Sequence, residues 1–291
     1  MKDTRIYKQI NGCSISTDIY YAGSNSPIII YIHGGALIFG TREWLSTEQI
    51  EYFTNAGFSL INIDYRLAPE TDFEQIINDI QDAVEWVRSK TAEWYDFDTS
   101  RIAIMGSSAG GYLSLLAGTM KIKSKAIVSL YGYGDILGTW YTRASDFYCK
   151  KPIIKKDEAM RYIGSKEITN GEWDRINYYI YCRQNGIWVQ EVTKMDPVLD
   201  SKQLTQYCPI HNISNNYPPA IFLHGDRDTD VPYEQSLLMY NKLKENGVNT
   251  ELITIENADH VFDQHFNDPQ VQSAFQSIVR FLNTHLLNCK T

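Results

Sequence analysis

The stretch "IMGSSAGG", residues 104–111, sets two serines between glycines. Gly106, Ser108 and Gly110 spell G-x-S-x-G. A nucleophilic serine needs its hydroxyl lifted clear of the backbone on a sharp turn, and small neighbours let that turn close. A strand before the turn and a helix after it would aim helix N-terminal amides where an oxyanion forms. "RIAIM" reads as that strand and "AGGYLSLLAG" as that helix. Only Ser108 has a glycine two residues away on each side. Ser107 fills the variable position, and its side chain is expected to point away. A Gly/Ser turn or a helix cap would show the same letters, so the weight comes from three further stretches.

The first is His33-Gly34-Gly35-Ala36, after the apolar run "PIIIYI". Adjacent glycines at a strand's end let backbone N–H groups face a cleft, as an oxyanion hole requires. His33 falls within the strand end and is expected to brace the loop. The second is "FLHGDRDTDVP", which offers Asp226, Asp228 and Asp230. One carboxylate in such a loop can orient an imidazole and stabilise its charged form. The third is "ENADHVFDQH", which offers His260 and His265. A general base working near neutral pH favours histidine, and His260 stands in the loop. His211, His224 and His285 read as structural. Serine, then acid, then histidine is the triad order of α/β-hydrolases.

These residues need a frame that brings four loops to one edge. "RIYKQI" and "CSISTDIYYAG" flank Asn11-Gly12, a two-residue hairpin signal. Strands are expected at "PIIIYI", "FSLINIDY", "RIAIMG", "KAIVSLYG", "PPAIFLHGD" and "VNTELITIE". Helical stretches fall between them. In the clearest, Phe73, Ile76, Ile77, Ile80, Ala83, Val84 and Val87 keep the spacing of a helix lying on a sheet. Alternation of this kind implies βαβ crossovers and a mainly parallel sheet with its site at the strands' C-terminal ends. The rhythm breaks after the sixth strand. Residues 135–215 carry many Tyr and Trp without a strand period, and are expected to form an inserted cap on a core of residues 1–134 and 216–291. The rings of Trp140, Tyr141, Tyr178, Tyr179, Tyr181 and Trp188 are candidates for a substrate-facing wall; the alternative is that they form the cap's own core.

With these stretches in view, the sequence resembles the α/β-hydrolases, close to the hormone-sensitive-lipase-like carboxylesterases. The matching residues are "YIHGGALIFG" (31–40), "DYRLAPE" (64–70), "GSSAGG" (106–111), "HGDRDTDVP" (224–232) and "ADHVF" (258–262). The resemblance implies an α/β-hydrolase fold, with a mainly parallel central sheet flanked by helices. It implies Ser108 as nucleophile, His260 as base and, through the spacing HG-x-x-D-x-x-VP, Asp228 as the acid. Backbone amides of Gly35, Ala36 and Ala109 would form the oxyanion hole, with Gly34 supporting. The usual HGGG reads HGGA here, and a backbone donor survives that change. The extra material follows the sixth strand, whereas these esterases usually place a helical cap before the oxyanion strand. The implied reaction is cleavage of small or short-acyl carboxylic esters, with no metal or organic cofactor. The alternatives are a deacetylase or feruloyl-type esterase, an arylformamidase-like amide hydrolase, or a silent binding protein on the same scaffold.

Composition bounds the rest. The chain has 291 residues, 43% of them apolar and 21% charged, as in globular proteins. A formal charge of −8 argues against nucleic acid and anionic membrane surfaces, which reward Lys and Arg. The N-terminal stretch has no apolar core of signal-peptide type, and no run has a transmembrane helix's length. The five cysteines form no CxxC pair, so a cytoplasmic setting is expected. The oligomeric state stays open.

Overall fold

A computed structural model describes residues 2–10, 12–122 and 124–287. Asn11 of the expected hairpin turn and Cys289 lie outside the described residues. Eight strands form one sheet: β1 (Lys2–Ile10), β2 (Cys13–Tyr20), β3 (Ser26–Ile32), β4 (Ser59–Ile63), β5 (Phe97–Ser107), β6 (Ala126–Leu130), β7 (Ala220–Gly225) and β8 (Thr250–Ile255). Their order is β1-β2-β4-β3-β5-β6-β7-β8. The β1–β2 and β2–β4 pairs are antiparallel, and the other five are parallel.

The central strands are apolar throughout because both their faces are covered. In β3, Ile28, Ile30 and Ile32 point into one buried cluster, while Ile29 and Tyr31 point into the other. α2 (Phe73–Lys90) and α3 (Ala109–Thr119) cover the first face, and α1 (Thr47–Asn55) and a late helix cover the second. The seven apolar positions expected along α2 are its buried apolar residues. α1 opens with a capping box: Gln49 N–H donates to Ser46 Oγ, and Ser46 N–H donates to Gln49 Oε1.

Between β6 and β7 the chain forms only short helices: α4 (Thr139–Thr142), α5 (Asp146–Cys149), α6 (Lys156–Ala159), α7 (Ile176–Asn185), α8 (Trp188–Thr193) and α9 (Ser201–Leu204), joined by 3₁₀ turns. Their buried side chains, Tyr178 and Val192 among them, join the same apolar cluster as α2 and α3. After β7 come α10 (Glu234–Glu245) and α11 (Pro269–Leu282), the latter packing Val271, Phe275, Ile278 and Leu282 onto the second face. α11 ends at Leu282, and a π-type turn continues over Asn283–Leu287. No helix among the described residues is long and apolar enough to cross a membrane.

β3 lies between β4 and β5, so the crossovers leaving β3 and β5 depart in opposite directions along the sheet. Loops at such a switch point separate and leave a crevice at the strands' C-terminal ends. The glycine loop follows β3 and Ser108 follows β5 at that point.

Candidate active site

Ser108 joins β5 to α3 with φ 54° and ψ −118°, a conformation that costs energy for a residue with a Cβ. Packing holds it there. A Cβ at Gly106 would collide with the Gly110 carbonyl, and one at Gly110 with the carbonyl of Ile32 on β3. The two glycines therefore allow strand, turn and helix to close together. The turn brings Ser108 Oγ within 3.0 Å of His260 Nε2. His260 Nδ1 lies 2.6 Å from Asp228 Oδ2. Asp228 Oδ1 accepts the backbone N–H groups of Asp230 and Val231, at 2.9 and 2.8 Å.

The charges in this line reinforce each other. Burial alone would raise the Asp228 pKa, but His260 and a hydrogen bond from His224 hold the carboxyl well below the usual range. Burial alone would lower the His260 pKa, but Asp228 raises it above the ordinary histidine value, with smaller help from Asp230 and Asp263. The Tyr131 ring packs edge-on against His260 at 4.7 Å, and its hydroxyl donates to Asp263 Oδ1 at 2.5 Å. Gln49 Nε2 donates to the other Asp263 oxygen at 2.9 Å.

The other sequence candidates have separate partners. Asp226 accepts the Asn257 N–H. Asp230 accepts from Tyr179 Oη at 2.6 Å and Arg183 Nη1 at 2.8 Å, tying α7 to the acid loop. His265 is exposed after the final 3₁₀ turn. Ser107 does not point fully away: its Oγ pairs with Tyr31 Oη at 2.9 Å and it borders the cleft. It has no histidine partner. His33 is buried and stacks on Tyr65 at 4.4 Å; its Nδ1 lies 2.7 Å from the Gly34 carbonyl. Burial pushes its pKa down to about 4, as suits a neutral brace.

The glycine loop borders the cleft beside Ser108. In a trans peptide the N–H points opposite to the C=O. The Gly34 carbonyl is taken by His33, and the Gly35 carbonyl accepts the Ile38 and Phe39 N–H groups at 2.9 and 3.0 Å. The N–H groups of Gly35 and Ala36 are thereby turned the other way, and both residues line the cleft with Ser108. Ala109 is the first residue of α3, so its N–H has no acceptor within the helix.

The cleft encloses about 940 Å³. Phe39, Trp44, Tyr148, Trp173 and Tyr179 form its aromatic side. Of the expected wall, Tyr179 lines the cleft and Tyr178 and Tyr181 do not; Trp140, Tyr141 and Trp188 also lie outside that lining, which corrects the expectation for them. Their rings stack on one another at 3.8 and 4.0 Å, with Tyr141 and Trp188 buried. Large flat rings gain most from such mutual burial, which turns them inward. His224, read from the sequence as structural, reaches the acid: its Nε2 lies 3.2 Å from Asp228 Oδ2 and 3.0 Å from the Val231 carbonyl. Its placement as a second "HG" on a strand end was visible, but its reach across the turn to Asp228 was not.

Among the described residues, no cluster of three or more His, Cys, Asp or Glu could hold a metal ion. The BD-FAE family model matches residues 17–243. The chain belongs to the BD-FAE family. A solved α/β hydrolase superfamily protein from Enterococcus faecalis superposes with a TM-score of 0.73 at 20% identity, covering 98% of this chain and 99% of that one. The fold is that of the α/β-hydrolases. Among curated proteins, the non-reducing polyketide synthase ausA of Emericella nidulans is 26% identical over 98% of this chain, which spans 14% of the synthase's length. Esterase LipC of Mycobacterium tuberculosis is 24% identical over 82% of this BD-FAE chain and 53% of LipC.

Proposed function

We propose that this BD-FAE chain hydrolyses carboxylic esters, with Ser108 as nucleophile, His260 as general base and Asp228 as the acid that orients it. One observation carries the reading: an unbroken hydrogen-bond line from Ser108 Oγ to His260 at 3.0 Å and on to Asp228 at 2.6 Å. The likeness to Esterase LipC supports the same bond type.

In this reading Ser108 Oγ attacks the ester carbonyl carbon as its proton passes to His260 Nε2. Asp228 stabilises the resulting imidazolium and holds its Nδ1–H. The N–H groups of Gly35, Ala36 and Ala109 receive the carbonyl oxygen as it gains negative charge, with Gly34 shaping the loop. The tetrahedral intermediate collapses as His260 gives its proton to the leaving alkoxide. Water then repeats the sequence on the acyl-enzyme and frees the acid. These steps need no metal or organic cofactor. A volume of about 940 Å³ suits a small ester, and the aromatic side suits an apolar or ring-bearing group. Residues 135–215 act as a cap in this reading, supplying Tyr148, Trp173 and Tyr179 to the cleft.

The test is Ser108→Ala. Turnover of p-nitrophenyl acetate is expected to fall about 10³-fold or more, and labelling by a fluorophosphonate probe to vanish. Undiminished turnover with an intact fold would overturn the assignment.

A further inference from the structure

The loop from Gly34 to Gly40 holds an unfavourable shape. Gly35 and Gly40 have φ of 103° and 110°, and two residues with side chains, Ala36 and Leu37, have φ of 55° and 63°. Such a loop persists only where its surroundings fix it from several sides. Part of the fixing is local: the Gly35 carbonyl binds Ile38 and Phe39 N–H, and the Leu37 carbonyl accepts the Ala68 N–H at 2.8 Å. Further bonds come from the chain between β6 and β7. Trp188 Nε1–H donates to the Ala36 carbonyl at 3.1 Å. Arg175 Nε–H donates to the Ile38 carbonyl at 2.7 Å. Gly171 and Gly40 exchange both backbone bonds, at 2.9 and 3.1 Å.

We infer that the β6–β7 segment sets the shape of the oxyanion hole, and that Trp188 is the positioning residue that holds Ala36 through its indole N–H. The inference rests on the reading of Ala36 as an oxyanion donor. A buried indole N–H needs an acceptor, and many carbonyls would serve. Here the acceptor belongs to Ala36, which lines the cleft together with Ser108. Trp188 is itself immobile, fully buried and stacked on Tyr141 at 4.0 Å. Arg175 is equally fixed, with its guanidinium paired to Glu70 at 2.7 Å and bonded to the Ala68 carbonyl at 2.8 Å. The segment is therefore a template for the loop. Lifting it as a rigid lid would break the bonds to Ala36, Ile38 and Gly40 together and release the strained turn.

An isolated N–H deletion tests this. Trp188→Phe keeps an aromatic ring and loses the donor. Replacing the indole by a benzothiophene side chain keeps the full shape and loses the same N–H, which serves if the phenylalanine variant folds poorly. Both are expected to lower kcat about tenfold or more, with KM within twofold, because an oxyanion donor acts only as charge develops. Affinity for a trifluoromethyl ketone, which forms a tetrahedral adduct, should fall by a similar factor. Tyr178→Phe deletes another hydrogen bond of the segment, to Glu191, which does not reach the loop. It should change neither quantity. Wild-type kcat and ketone affinity in the benzothiophene variant would overturn the role of Trp188. Loss of ketone affinity by Tyr178→Phe to the same degree would reduce the effect to general packing. Ser108→Ala, run in parallel, separates these outcomes from failure of the hydrolase assignment: an active Ser108→Ala refutes the reaction, and an inactive one leaves Trp188 on trial.

Discussion

At the scale of single residues, the charges around His260 make a directional claim. Its Nδ1 faces Asp228 at 2.6 Å, and its Nε2 lies 3.8 Å from Asp230 Oδ2. Both carboxylates stabilise the charged imidazolium, so the pKa of His260 lies above the ordinary histidine value despite burial. A general base must be neutral before it acts. Activity should therefore rise with pH through a limb placed above that of a free histidine. Asp230→Asn removes one of the negative charges, keeps an oxygen for Arg183, and should move the limb to lower pH in a kcat/KM profile. A limb that stays in place would show that Asp230 is screened from the imidazole. Ser107 makes the contrasting case. Ser107→Ala should leave kcat within a few-fold, while stability falls by about 1–2 kcal/mol because the buried Tyr31 hydroxyl loses its partner. Denaturant titration beside initial rates separates the two effects. The distinction between Ser107 and Ser108 was readable from letters alone, since the glycine pattern reports how closely β5, α3 and β3 approach. The Ser107–Tyr31 pairing was not, because it joins two strands whose pairing no local spacing encodes.

At the scale of elements, the legible parts are those whose burial is periodic. β3, β4, β6 and β7 are buried along their whole length and read as short apolar runs, and α2 shows its apolar stripe. The pieces between β6 and β7 are mostly four to ten residues long, too short to be helical by propensity. Tertiary contacts define them, so single-sequence reasoning found their aromatic content but not their facing. Trp140, Tyr141 and Trp188 turn inward, and Tyr148 and Trp173 reach the cleft beside Tyr179. The anchor of these pieces is the Arg175–Glu70 pair, whose side chains are 4% and 1% exposed. Arg175→Met would leave the Glu70 carboxylate buried without its cation. A loss of about 3–5 kcal/mol is expected, read as a lower midpoint in urea. A midpoint within error of wild type would show that this pair does not anchor the segment.

At the scale of the whole molecule, the question is whether the chain between β6 and β7 stands apart from the sheet. An appended domain would carry its own core and melt by itself. Here Tyr141, Tyr179 and Trp188 belong to one apolar cluster with Ile30 of β3, Ile76 of α2 and Tyr112 of α3. Polar contacts follow the same course: Arg66 of the sheet side pairs with Glu167 at 2.9 Å, Arg183 with Asp230 at 2.8 Å, and Arg175 with Glu70. Losing the segment would expose apolar surface on α2 and α3 and leave buried charges unpaired, so neither part should survive the other. Urea unfolding is therefore expected to be one transition. Far-UV circular dichroism reports mainly the sheet and long helices. Tryptophan fluorescence draws on Trp140, Trp173 and Trp188, half of the chain's six tryptophans. The two curves should share a midpoint, and loss of p-nitrophenyl acetate turnover should track both. A fluorescence change at lower urea, with the dichroism still native, would show the segment leaving alone. If activity survived that step, the segment could not be the template for the oxyanion loop.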